Sequence, residues 1–198
     1  MQDILFLVHR IPYPPNKGDK IRSYHMLKHL SRRYRVHLGT FVDDKQDWAY
    51  VDKVMDLCEE TCFVEMNPAI CKMRSIAGLV FNEPLSLPYY RNSEMQAWVN
   101  NLLKQRPIKN ILVFSSAMAQ YVQDADTLHR VIDFVDVDSD KWKQYAASKP
   151  WPLSWLYRRE SRQLLAFEQR IAREFDSATF VSEAEANLFR RLAPDAAA

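Results

Sequence analysis

Short apolar runs alternate along the chain with longer mixed segments, and the spacing of the apolar positions separates strands from helices. Residues 3–8 (DILFLV) are almost continuously apolar, as in a strand buried on both faces of a parallel sheet. Comparable runs recur at 35–42, 61–66, 110–116, 129–136 and 177–182. Between them the period lengthens. Residues 19–33 carry Ile21, Tyr24, Leu27 and Leu30 on one helical stripe. Residues 43–58 read as a helix with acids in its first turn, where the macrodipole favours them. Asn67-Pro68 opens a helix over 68–80 with proline in its first turn. Residues 80–91 (VFNEPLSLPYYR) read as irregular, and a helix then runs to about Gln105. A short helix is predicted over 137–147, a long one over 153–175, and a last one over 183–193.

Strand–helix alternation of this kind predicts an α/β fold: a Rossmann-like three-layer domain with a mostly parallel sheet of about six strands. One domain over 1–192 accounts for the pattern, with 193–198 as a tail. In open parallel sheets, ligands sit beyond the carboxyl ends of the strands, near a topological switch point. That rule selects the loop at 9–18, Ser115-Ser116, the stretch 133–140 and the stretch 182–185.

Composition narrows the class. The chain has 198 residues, 47% hydrophobic and 26% charged, which is enough apolar mass for a real core. A net charge of +2 does not predict a nucleic-acid partner. The cations are clustered, however: from Arg10 to Arg35 there are eight Lys or Arg against Asp19 alone. Such a cluster suits a phosphate, an anionic membrane or a solvated helix face. Cys58, Cys62 and Cys71 are odd in number, follow no signal-peptide pattern and have no histidine nearby, so they read as reduced thiols of a cytoplasmic protein rather than as zinc ligands. No apolar run approaches the roughly 18–20 residues that span a bilayer.

The first loop has neither G-x-G-x-x-G nor a P-loop, and with Gly18, Gly39 and Gly78 alone a dinucleotide fingerprint is excluded. What remains is PPNKGDKIRS. Gly18 can adopt positive φ, the helix start offers free N–H groups to an anion, and Lys17, Lys20 and Arg22 add charge. The competing reading is a plain strand–helix turn with Asp19 as N-cap. The stretch DFVDVDSDKW sets Asp133, Asp136, Asp138 and Asp140 at a strand end. It lacks the glycine and distal Glu of an EF-hand loop, which leaves a cleft that binds hydroxyls or acts as base, or helix capping by Asp138 or Ser139. Ser182 and Glu185 fit a capping box, with Glu183 beside them. Ser115 and Ser116 lack a G-x-S-x-G setting, and His9 ends the first strand where it can line a cleft. His25 and His29 read as surface residues. The aromatics near 80–90 and Trp142, Trp151, Trp155 and Tyr157 suit either a core or a membrane interface.

The segment ILFLVHRIPYPPNKGDKIRSYHMLKHLSRRYRVHLGTF resembles the amino-terminal end of glycosyltransferase family 4 enzymes of the GT-B fold, and most of all the exopolysaccharide or PEP-CTERM-associated sugar transferases. Arg22, Tyr24, Leu27 and Leu30 occupy that group's helical stripe, and DFVDVDSDKW and ATFVSEAEA look like its later motifs. Where many members carry a Gly-Gly pair in the first loop, Gly18 stands alone. The resemblance implies the acceptor-side domain of a retaining, cytoplasmic glycosyltransferase. It would move a sugar from a nucleotide-sugar to a glycan or lipid-linked acceptor, with no metal and no cofactor beyond that co-substrate, and a peripheral inner-membrane contact is admitted. The donor-binding domain would be absent and the isolated domain inactive. On this reading Lys17, Gly18, Lys20 and Arg22 face the donor phosphates. Asp133 and Asp136 carry the chemistry, and His9, Ser115, Asp138, Ser182 and Glu183 line the acceptor side. The alternative is a non-catalytic Rossmann-like ligand-binding or regulatory domain.

Overall fold

In the computed structural model, which describes residues 1–196, the six apolar runs form β1 (Gln2–Val8), β2 (Tyr34–Val42), β3 (Glu60–Glu65), β4 (Asn110–Phe114), β5 (His129–Val135) and β6 (Ser177–Phe180). They pair as one parallel sheet in the order β3-β2-β1-β4-β5-β6. Connections after β1 and β2 step one way across the sheet and those after β4 and β5 step the other, so the switch point lies between β1 and β4.

Alternation along β1 sends its side chains to opposite faces, and both faces are covered. Leu5 and Leu7 join Ile111, Val113, Ile132 and Phe134 on one side. There they meet Met95, Val99 and Leu102 of α6 (Ser93–Gln105) and Leu164, Phe167 and Ile171 of α8 (Leu153–Glu174). Ile4, Phe6 and Val8 face the other way, toward Val36, Leu38, Phe114 and Leu27 of α1 (Gly18–Leu30). Gly39 sits where β2 meets α6: a Cβ there would lie 2.8 Å from Leu7 Cδ2 and 2.8 Å from Met95 Sδ. The chain is therefore an α/β, Rossmann-like three-layer domain.

Local differences from the sequence reading have physical causes. The buried face of α1 is Lys20, Ser23 and Leu27, while Ile21 is exposed. Lys20 finds a carboxylate inside, and Ser23 Oγ donates back to Asp19 O at 2.8 Å. The expected helix over 43–58 is a 3-10 turn, Lys45–Tyr50, followed by α2 (Val51–Met55). The expected helix over 68–80 breaks at Ile76 into α3 (Pro68–Ser75) and α4 (Ala77–Val80). Beyond the break, Gly78 O accepts from Arg159 Nη2 at 2.7 Å and from Glu83 N–H at 3.1 Å. The stretch read as irregular holds α5 (Ser86–Tyr90), whose first N–H groups are bound by a carboxylate far along the chain. α7 (Asp138–Ala147) and α9 (Glu183–Leu192) occupy the remaining predicted positions. Of the expected tail, Ala193 and Ala196 pack with Phe189, and residues 197 and 198 lie outside the described residues.

Candidate functional site

The carboxyl edge of the sheet gathers most of the residues singled out in the sequence. His9 and Arg10 leave β1, Asp43 leaves β2, Ser115 and Ser116 leave β4, Asp136 and Asp138 follow β5, and Ser182 and Glu183 follow β6. At the switch point itself the His9 ring lies parallel to Phe114, centroids 5.9 Å apart, and edge-on to Tyr90 at 6.0 Å. These contacts leave its Nε2 3.4 Å from Asp19 Oδ2. Arg10 binds the same carboxylate through Nη1 at 3.1 Å and reaches Asp43 with Nε at 2.8 Å. Hydrogen bonding from His9 outweighs burial and, with the Arg10 charge, holds the Asp19 carboxyl well below the usual range. His9 Nδ1 and Asp43 Oδ1 are buried with no hydrogen-bond partner among the described residues. The Tyr90 hydroxyl, pushed up by burial, stays protonated and can only donate or accept as a neutral group. The result is a half-buried imidazole beside an ionised carboxylate and a guanidinium, a set able to hold a hydroxyl and a phosphate oxygen side by side.

Backbone strain marks the same edge. Ser115 has φ 80° and Val135 φ 69°, which is unusual for any side chain and more so for a β-branched one. These residues end β4 and β5 earlier than their apolar patterns suggest. Asp133 fixes the second bend. Its Oδ1 accepts Val135 N–H at 2.9 Å, and its Oδ2 accepts Arg22 Nε and Nη2 at 2.9 and 2.7 Å. Asp133 is 0% exposed. Asp133, expected to carry chemistry, thus lies beneath the edge, and Arg22, expected at the donor phosphates, pairs with it in this structure. Lys20, also expected at the donor phosphates, is likewise paired internally. It is 2% exposed, and its Nζ lies 2.5 Å from Asp47 Oδ2.

Among the remaining predicted residues, Lys17 and Gly18 are exposed at the start of α1. Gly18 has no positive φ, and a Cβ on it would meet nothing within 4 Å, so neither conformation nor packing in this chain demands glycine there. Lys17, not Asp19, is the N-cap residue, and Asp19 serves His9 and Arg10 instead. Asp136 and Asp138 share Lys141 Nζ at 2.7 and 3.1 Å and stay partly exposed. Ser182 caps α9 by accepting Glu185 N–H at 3.3 Å, and Glu183 is exposed beside it. A cavity of about 580 Å³ is lined by a different set, among them Glu83, Arg91, Gln96, Gln120 and Tyr121; Glu83 and Arg91 pair within it at 2.7 Å and neutralise each other.

Arg10, Asp43, Tyr90 and Phe114 were not assigned to the site from the sequence. Arg10 and Asp43 each stand just past a strand end, so the carboxyl-edge rule applied to every strand would have found them. No local signal marks the caps of α7. Val137 N–H goes to Glu185 Oε2 at 2.8 Å, while Ser139 N–H and Oγ go to Glu168 at 3.3 and 2.5 Å. Neither Asp138 nor Ser139 caps the helix with its own side chain. Glu168 is 1% exposed, and burial pushes its carboxyl up to about 8. Glu160, also on α8, accepts Leu85 and Ser86 N–H at 2.7 and 3.2 Å, which explains α5.

No family model matches the chain, and no curated protein does. Among solved structures it is similar to the N-terminal domain of trehalose-6-phosphate phosphatase from Candida albicans, with a TM-score of 0.51 and 14% identity, over 98% of this chain and 43% of that one. The chain thus spans less than half of that structure, and a likeness at this identity concerns the fold.

Proposed function

We propose that the chain is the acceptor-side domain of a retaining glycosyltransferase, moving a sugar from a nucleotide-sugar to a glycan or lipid-linked acceptor in exopolysaccharide synthesis. The observation that carries the reading is the His9–Asp19–Arg10–Asp43 cluster at the switch point, on a domain whose first loop and strand-end motifs resemble family 4 enzymes. His9 is the group placed to receive an acceptor hydroxyl, oriented by Asp19 and by the rings of Phe114 and Tyr90. Lys17 and the open space at Gly18 suit the leaving diphosphate, where fixed donors stabilise developing charge, while Arg10 holds Asp19 and Asp43 in place. Asp136 and Asp138 supply acceptors for sugar hydroxyls.

The second reading, a non-catalytic ligand-binding domain, is favoured by the internal commitment of Lys20, Arg22 and Asp133. The two separate in an assay of sugar transfer by the gene product that contains this chain. His9→Ala should lower turnover by about 10²-fold or more with the fold intact. Unchanged turnover in that variant removes His9 from the chemistry and leaves the binding reading.

A further inference from the structure

Nine of the large apolar side chains left exposed fall on two segments, 70–81 and 151–155. α3 and α4 present Ile70, Met73, Ile76, Leu79 and Val80 outward, and Phe81 continues the series; Met73 is 73% exposed, Val80 77% and Phe81 73%. The three-residue spacing of Ile70, Met73 and Ile76 keeps them on one side, while Cys71 turns to the core. The start of α8 adds Trp151, 80% exposed, with Leu153 and Trp155.

These two groups form one surface. Arg159 donates to Gly78 O at 2.7 Å and to Glu83 O at 3.2 Å, and Gln163 Nε2 donates to Asn82 Oδ1 at 3.0 Å. Trp155 stands four residues before Arg159, on the same helical face, and so flanks α4. Of the other aromatics weighed for a membrane, Trp142 and Tyr157 pack on each other at 5.2 Å, and Tyr89 and Tyr90 pack against the core. The exposed subset is therefore a selected one.

Residues 66–82 and 141–159 contain no Asp or Glu and carry Lys72, Arg74, Lys143, Lys149 and Arg158, while the flanking Glu83 is paired with Arg91. Protein interfaces deplete lysine around their apolar centre, whereas exposed tryptophan and aliphatic side chains ringed by cations match an anionic headgroup layer. Glu168 lies level with the start of α7 at the carboxyl edge, so at about 1.5 Å per residue Trp155 lies roughly 20 Å further along α8, beyond that edge. Among the described residues no helix is long and apolar enough to cross a bilayer, so contact would be along the surface.

We propose that the Ile70–Phe81 and Trp151–Trp155 surface docks on an anionic lipid bilayer. The inference stands on the surface alone and does not rest on the transferase reading. The test is co-flotation of the 198-residue chain with vesicles of phosphatidylcholine, with and without phosphatidylglycerol, in low and high salt and without any sugar substrate. Binding is expected to the phosphatidylglycerol vesicles and to weaken as salt shortens screening. The bound fraction should fall by about tenfold or more in Val80→Ser/Phe81→Ser and in Trp151→Ser/Trp155→Ser. Lys72→Glu/Lys149→Glu should lose the preference for phosphatidylglycerol. All these positions are exposed, and unchanged thermal melts verify the fold. No flotation with either vesicle, or equal flotation by the serine variants, overturns the proposal. So does a wild-type dimer in analytical ultracentrifugation that these variants convert to monomer, since the surface would then be a protein interface. Failure here leaves the sugar-transfer assay of His9→Ala as a separate question.

Discussion

Removing the guanidinium of Arg22 should destabilise the fold far more than neutralising the carboxylate it holds. Arg22 Nε and Nη2 both bind Asp133 Oδ2, at 2.9 and 2.7 Å, and the two partners differ in burial: the Asp133 side chain is 0% exposed and that of Arg22 31%. In Arg22→Ala, a carboxylate with no solvent access loses its counter-charge, at a cost of about 3–5 kcal/mol. For a domain of this size that lowers Tm by roughly 6–20 °C. In Asp133→Asn, the side-chain oxygen still accepts Val135 N–H, and the freed guanidinium can turn to water, so about 1–2 kcal/mol is expected. The double variant should cost no more than Arg22→Ala alone, because the charge left stranded by the single change is gone. Urea denaturation followed by far-UV circular dichroism near neutral pH measures all three. A cost below about 1 kcal/mol for Arg22→Ala, or a larger cost for Asp133→Asn than for Arg22→Ala, would refute the assignment of Asp133 as a buried anchor. So would full stability of Asp133→Asn combined with abolished sugar transfer, which would return Asp133 to the chemistry.

Three further outcomes follow from single sites. Glu168 titrates near 4.5 in the unfolded chain and at about 8 when folded, so the folded state holds a proton that the unfolded state has lost across that interval. Stability should fall as pH rises from about 4.5 to about 8, by on the order of 4 kcal/mol, relative to a Glu168→Gln variant whose profile lacks that slope; parallel profiles would sink the idea. Gly39→Ala should lose about 1–3 kcal/mol by urea titration, because its Cβ would meet Leu7 and Met95 at 2.8 Å, and an unchanged midpoint would mean that α6 can give way. Gly18→Ala should be neutral or raise stability by up to about 1 kcal/mol, since nothing lies within 4 Å of the added Cβ, whereas Gly18→Trp should impair sugar transfer if a ligand approaches there.

The strand set was readable because each strand is a local apolar run in a sheet covered on both faces, and a parallel sheet needs a crossover between neighbours. That is why β1 through β6 stand where the runs stand, and why the carboxyl-edge rule reaches His9, Ser115 and the aspartates from the sequence. Where the pattern failed, a partner distant in sequence had intervened. α5 exists because Glu160 binds its first N–H groups across 74 and 75 residues of chain, and α7 is capped by Glu168 and Glu185 rather than by its own Asp138 or Ser139.

The same distinction separates candidate from working residues. The sequence by itself determined that acids and cations would collect at one edge of a parallel sheet, because residues that end strands must lie there. It could not determine which of them would be consumed by each other. Lys20 is buried against Asp47 and Arg22 is held by the buried Asp133, whereas His9, Arg10, Asp19 and Asp43 meet at the switch point. Charge pairing across strands depends on distances that only the packed sheet sets. A buried carboxylate with a guanidinium on it and an exposed one beside a cleft are the same letter in the chain.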